Sequence, residues 1–266
     1  MKIAGRIFLS FSILTVLATI MVGLAITHGS SRFIQTATEH RIVHSLDLLE
    51  HELSYLYSQL RQDVEFLSKT LAELKAPGAS PVQYQTHLAG LLRAFLHSRP
   101  SYFKVALIAP NETGRELARV SRVGGRIVQP PTRQLQALGQ PPFIRQALAG
   151  EHGEAAFSRI GLNREQGEIE QPLRPVLSVA KAVFSDTGET LGVVAITIGM
   201  KQVFNRLQDL TSPDTQLLLA CAAGGELIMH PNPEHTFGAA CGGEGESHLI
   251  HEEIPAARPL LAGEIG

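Results

Sequence analysis

The chain has only two cysteines and no concentration of basic charge. Cys221 and Cys241 are too few for a disulfide scaffold or a four-cysteine zinc site. An extracytoplasmic location permits one bridge between them, and two small buried or unpaired thiols are the plainer reading. The 23 Lys and Arg against 25 Asp and Glu are scattered, so the electrostatic footprint of a nucleic-acid binder is missing. Also missing are a phosphate-cradling glycine loop between strand and helix, a His-Glu-x-x-His run and a Gly-x-Ser-x-Gly elbow. Neither catalysis nor a cofactor is therefore expected. Glu165, Glu168 and Glu170 can be cast as hydrolase carboxylates, but a charged run in a hairpin loop reads better as a solvated one.

What is present is apolar. With 44% hydrophobic residues in 266, the chain can bury at least one full core. Ile7 to Ile26 is a run of 20 residues without a charge, enough to span roughly 30 Å of hydrocarbon. Lys2 and Arg6 precede it and the next basic residue is Arg32, which puts the N-terminus in the cytoplasm and the rest outside. The run is longer than a signal-peptide core and no clean Ala-x-Ala site follows it, so an uncleaved anchor is expected.

From Ser31 to Lys75 there is neither Pro nor Gly. Apolar residues recur there at Leu46, Leu49, Leu53, Leu56, Leu60, Val64, Leu67, Leu71 and Leu74, in steps of three and four with one stutter. One long helix is expected, whose seam packs on the following domain, forms a dimer contact, or does both. His40, His44, Asp47 and His51 share a face of that helix; His40, His44 and His51 are weak metal candidates, and a solvated face is the blander reading.

Beyond it, an amphipathic segment from Val82 to His97 leads to the apolar run Tyr102 to Ala109 and the alternating run Arg115 to Val123, which turns at Gly124-Gly125 into Arg126-Ile127-Val128. Gln134 to Leu138 and Pro142 to Ala149 read as short helices, and Phe157 to Ile160 as a strand. Leu173 to Met200 holds two β-branched runs around Ser185-Asp186-Thr187-Gly188, a hairpin needing further strands and a helix to cover it. Every pair is joined locally, so an α+β layer on an antiparallel sheet is expected. Lys201 to Leu210 reads as a connecting helix, followed by a second hairpin, Gln216 to Cys221 with Glu226 to His230. His230 and His235 suggest a metal pair, yet no further ligands are evident, so a proline-fixed loop is expected there.

Several of these segments carry a family resemblance: Gly114-x-Glu116-x-x-Arg119-Val120, Leu135-Gln136, Phe143-Ile144-Arg145-Gln146-Ala147-Leu148, Leu162-Asn163-Arg164-Glu165 through Pro172, and Pro175-Val176 through Val193-Val194. Over about Ser31 to Gly238 the chain resembles the periplasmic double-PDC, or tandem Cache, sensor region of bacterial transmembrane histidine kinases. The resemblance implies a PAS-like five-stranded antiparallel sheet, the long helix packed behind it and a small-molecule pocket on the other face. It also implies a larger receptor with a second membrane helix and a cytoplasmic output. The organisation expected is a cytoplasmic tip at 1–6, a transmembrane helix at 7–27 and a long helix at 28–76, then a sensor domain at 77–210 and an incomplete second lobe at 211–266. Its main domain is placed in the periplasm of a bacterial inner-membrane protein. A homodimer and an organic acid or amino acid ligand are the expected partners. A diguanylate cyclase or chemoreceptor output, or a ligand-free protein-interaction ectodomain, is the alternative.

Arg122, Arg145, Arg164 and Arg174, at loop and strand ends, are candidates to fork onto a carboxylate, with Phe143 as an apolar wall. Ser178 stands where the family usually has an arginine after Pro-Val-Leu, and Gly139 to Ile144 departs from the family's approach to the short helix. Ligand preference is expected to differ there.

Overall fold

A computed structural model of the chain describes residues 43–74, 81–150, 154–211, 217–220, 224–238 and 248–261. The expected membrane run, His40, Cys221 and Cys241 lie outside these residues. Among the described residues no helix is long and apolar enough to cross a membrane.

Residues 43–74 form one uninterrupted helix, α1. Leu49, Leu56, Leu60, Val64, Leu67 and Leu71 are buried in the main core, so the seam is used by the chain's own sheet. Leu46, at the start of the seam, is 55% exposed. Helix α2 (Pro81–Ser98) lies on the same core through Leu88, Leu92, Phe95 and Leu96.

The sheet contains β1 (Tyr102–Ile108), β2 (Glu116–Val123), β3 (Arg126–Val128), β4 (Ala156–Phe157) and β5 (Gly161–Leu162). A separate small hairpin pairs β6 (Arg164–Glu165) with β7 (Glu168–Ile169). The long hairpin of β8 (Pro175–Phe184) and β9 (Thr190–Gly199) completes the main sheet, in the order β3-β2-β1-β9-β8-β4 with β5 also on β8. All its pairs are antiparallel.

Three expectations are corrected. The sheet has seven strands, not five, because the ten-residue β8 takes two short partners in succession along one edge, β4 at Val179–Ala180 and β5 at Pro175–Val176. Not every pair is local: β1 pairs with β9 as well as β2, from Tyr102↔Ile198 to Ile108↔Val193. Both are central strands, each paired along both edges and buried along most of its length. Gln134 to Leu138 is not a helix; only Thr132–Gln134 makes a 3-10 turn. The rest is extended, because Glu116 N donates to Gln136 O at 2.8 Å and Ala137 bridges to Arg115.

Strand alternation sorts the two faces. Val105, Leu107, Leu177, Val179, Val183, Val194 and Ile196 point to the α1/α2 core. The opposite face carries Ala106, Ile108, Ala180, Val193 and Ala195, mostly small, under helix α3 (Pro142–Ala149) with its buried Ile144 and Ala147. Large side chains on one face and small ones on the other leave room only on the second.

Helix α4 (Lys201–Asp209) buries Val203, Phe204 and Leu207 and leads to a smaller unit. That unit pairs β10 (Leu219–Ala220) with β11 (Leu227–Met229), followed by a 3-10 turn at Pro233–His235 and the short helices α5 (Ile250–Glu253) and α6 (Arg258–Leu261).

Candidate functional site

On the sheet face away from α1, a pocket of ≈ 170 Å³ is lined by Lys104, Ala106, Ile108, Glu116, Leu138, Pro141, Phe143, Ser178, Ala195 and Thr197. Lys104 is the one charged residue in the apolar β1 run, and pairing sets its neighbours: Lys104 opposite Ser121, Ala106 opposite Arg119, Ile108 opposite Glu116. Opposed residues share a face, so a lysine, a glutamate and an arginine meet on one buried surface.

Their bonding is uneven. Among the described residues the Lys104 ammonium makes one hydrogen bond, to Asn163 Oδ1 at 3.3 Å, and burial pushes its pKa down against the pull of Glu165 and Glu116. Glu116 Oε2 accepts from Gln136 N at 2.9 Å and faces Arg119 Nε at 3.5 Å, whereas Oε1 is buried without a hydrogen-bond partner among the described residues. Burial pushes the Glu116 carboxyl up. Ser178 Oγ and Thr197 Oγ1 are 2.9 Å apart on the adjoining strands. Arg119 Nη1 donates to Glu165 Oε2 at 2.9 Å, and Gln136 Nε2 donates to the same oxygen. Asn163 Nδ2 reaches Glu170 Oε2 at 2.8 Å, and Arg174 Nε reaches that oxygen at 3.0 Å. Glu165 and Glu170, expected to be solvated, are therefore tied into the rim by Arg119, Gln136, Asn163 and Arg174, while Glu168 stays exposed.

The structure divides the six residues singled out from the sequence. Phe143 and Ser178 line the sheet-face pocket. Arg122 and Arg174 instead line a second cavity of ≈ 360 Å³ at the end of the sheet, with Phe103, Pro172 and Lys201. Arg122 is occupied there: Nη2 donates to Leu96 O at 2.6 Å and Nε to Tyr102 O at 3.3 Å, closing the carbonyl end of α2. Arg174 lies over the Phe103 ring at 4.2 Å. Arg145 is exposed on α3, and Arg164 donates to Gly167 O at 2.9 Å within its own hairpin. Lys104, Glu116 and Thr197 were missed as site residues; a lone lysine inside the seven-residue, otherwise apolar β1 was the available signal.

A third cavity of ≈ 630 Å³ separates α4 from the smaller unit, lined by Phe204, Lys201, Ile228, His230 and Phe237 among others. His44, Asp47 and His51 are exposed on α1. His230 and His235 are not alone, as had been expected. Glu253 on α5 meets both, at 3.0 Å from His230 Nε2 and 3.0 Å from His235 Nδ1.

No family model and no curated protein matches the sequence. Solved structures do. A domain of a sensory box/GGDEF family protein from Vibrio parahaemolyticus superposes with a TM-score of 0.62 at 18% identity, covering 83% of this chain and 84% of that one. The extracellular domain of the histidine kinase vpHK1S-Z8 gives 0.61 at 17%, covering 83% and 80%. The ligand-binding domain of the Campylobacter jejuni chemoreceptor Tlp3, in complex with L-valine, gives 0.52 at 16%, covering 72% and 70%. These neighbours are sensory, extracellular or ligand-binding domains and not catalytic ones, and this chain shares their fold.

Proposed function

We propose that the chain is the extracytoplasmic signal-sensing module of a membrane-anchored receptor, with residues 77–210 as the solute-binding domain, 211–266 as a second lobe and 7–27 as the anchor. The observation that carries this reading is a small pocket holding two incompletely bonded ions of opposite sign, the half-buried Lys104 and the buried Glu116, whose Oε2 faces Arg119 Nε at 3.5 Å while Oε1 has no hydrogen-bond partner among the described residues. A desolvated charge with unfilled hydrogen-bonding capacity is costly, and a ligand that completes both ions recovers part of that cost. A carboxylate satisfies the ammonium, an N–H or O–H donor satisfies Glu116 Oε1, and the Ser178 and Thr197 hydroxyls orient the remainder against Phe143 and Leu138. An amino acid or small organic acid has this chemistry. At 170 Å³ the pocket is below the roughly 300–1,000 Å³ of drug-sized sites, which suits a solute of few heavy atoms.

Transmission follows from β1. Two residues before Lys104, the Tyr102 hydroxyl donates to Asp63 of α1, so the strand that meets the solute also grips the helix leading back towards the apolar run. A solute that favours one setting of β1 biases α1 accordingly. We assign a histidine kinase in a two-component system as the output; the GGDEF and chemoreceptor neighbours support a diguanylate cyclase or chemotaxis output as the second reading. A homodimer contact is assigned to Leu48, Tyr55 and Phe66, which are exposed at spacings of 7 and 11 on the side of α1 away from the sheet. Thermal unfolding of the 266-residue chain in detergent, against a library of amino acids and small carboxylates, should show a raised midpoint for at least one compound. No shift across the library would overturn solute binding.

A further inference from the structure

Segments distant in sequence converge in the smaller unit. His230 ends β11, His235 closes the Pro233–His235 turn, and Glu253 ends α5. Glu253 Oε2 is 3.0 Å from His230 Nε2 and Oε1 is 3.0 Å from His235 Nδ1, and ligand atoms of all three side chains lie within 4.8 Å of one another. The His235 ring is sandwiched, with His230 at 4.8 Å and His248 at 4.3 Å between centroids.

We propose that His230, His235 and Glu253 bind one divalent transition-metal ion of the Zn²⁺ class. Four residues separate the two histidines, within the His-x₃₋₅-His spacing common at zinc sites. With Zn–N and Zn–O bonds of about 2.0–2.1 Å, tetrahedral geometry sets neighbouring ligand atoms about 3.3–3.4 Å apart. Each 3.0 Å separation runs to a different Glu253 oxygen, a few tenths of an ångström from that value, and the ligand atoms, spread over up to 4.8 Å, draw together when the ion binds. The loop is held beforehand: Pro231 and Pro233 restrict its backbone, and Asn232 Oδ1 accepts from Glu234 N at 3.2 Å. His230 Nδ1 is 3.1 Å from Asn232 O. Asn232 N also donates to Nδ1 at 3.0 Å, so an ion at Nε2 requires the tautomer in which Nδ1–H donates to the Asn232 carbonyl instead, the usual outer support of a metal-bound histidine. Two imidazoles and one carboxylate favour zinc, nickel or copper over magnesium and calcium, and three protein donors leave a fourth position for water.

The ion has structural work to do here. The unit rests on strands of two and three residues, too little sheet to fix a loop by itself. Metal would join the 230–235 loop to α5. Because His230 also lines the 630 Å³ cleft facing Phe204 and Lys201, it would set one wall of that cleft too.

The test is calorimetric titration of ZnCl₂ into the chelator-treated full chain, wild type against Glu253→Gln, His235→Gln and the His44→Gln/His51→Gln pair. One ion per chain is expected, with affinity lowered about tenfold or more by Glu253→Gln and by His235→Gln and unchanged by the helix pair. Co²⁺ should give the visible bands of a tetrahedral ion in the wild type and lose them in Glu253→Gln. Should His235→Gln fail to fold, Glu253→Gln, at a partly exposed side chain, carries the test. No binding heat, or equal affinity in wild type and Glu253→Gln, would overturn the site. Neither result bears on solute binding, since none of these residues lines the sheet-face pocket.

Discussion

Asp63 sits on the buried side of α1 at 6% exposure, and three donors converge on it. Arg99 Nη2 reaches Oδ1 at 2.7 Å and Arg99 Nε reaches Oδ2 at 3.0 Å, a two-pronged contact, while the Tyr102 hydroxyl also donates to Oδ2. Burial, reinforced by that carboxylate, pushes the Tyr102 phenol up. Asp63→Asn replaces one oxygen with an NH₂ group and removes the charge, so an amide donor faces a guanidinium donor. Hydrogen bonds to charged groups contribute about 1.5–3 kcal/mol each. The Arg99 side chain is 42% exposed and water takes up part of its loss, which lowers its share. A total of about 2–4 kcal/mol follows, equivalent to a fall of roughly 4–16 °C in Tm for a protein of this size. Tyr102→Phe leaves the Arg99 pair intact and should cost about half as much. Differential scanning calorimetry of both variants and the double variant measures the coupling. A fall below about 2 °C for Asp63→Asn would refute the view that this clamp joins α1 to the sheet.

Gly114 has φ +51°, and a Cβ added there would meet Gly139 O at 1.7 Å. Gly114→Ala should therefore cost about 2–4 kcal/mol from left-handed strain and overpacking, read by urea unfolding, and a loss under about 1 kcal/mol would contradict the turn. Glu65 is held below its ordinary value, first by the hydrogen bond from Lys181, whose Nζ is 2.7 Å away. A depressed carboxyl contributes stability that is fully present above its unfolded value of 4.5 and lost as pH falls through its lower folded value. The Tm gap between wild type and Glu65→Gln should therefore be small but positive at pH 7 and close below pH 4, and a gap that widens on acidification would reverse the assignment.

Whatever depended on neighbours in sequence was legible. The Leu49 to Leu71 spacing predicts both the helix and its buried face, and the Ser185 to Gly188 turn predicts the β8/β9 hairpin. The β1/β9 pairing was not, because Tyr102 and Ile198 are neighbours only once the whole intervening excursion has folded. The site failed on parity. Arg119 and Arg122 lie three apart on one strand, so Arg119 faces the pocket side with Ala106 while Arg122 turns to the end of α2. Glu116, Arg119, Gln136, Asn163 and Glu165 already stood in the segments that carry the family resemblance, yet their mutual bonding depends on a β2 to β6 contact that spacing does not reveal. Asp63 likewise interrupts the buried face between Leu60 and Val64, a signal whose partners, Arg99 and Tyr102, are known only from the packing.

The central claim is that the solute binds among Lys104, Glu116, Ser178 and Thr197 on the open sheet face. Its most direct measurement is the Kd of one stabilising solute by titration calorimetry for wild type, Lys104→Met and Lys201→Ala, the last lining both other cavities. Loss of a charged hydrogen bond of about 1.5–3 kcal/mol predicts a roughly 10- to 150-fold weaker Kd for Lys104→Met and no change for Lys201→Ala. An unchanged Kd in Lys104→Met with weakened binding in Lys201→Ala would contradict the account and move the site to the end of the sheet.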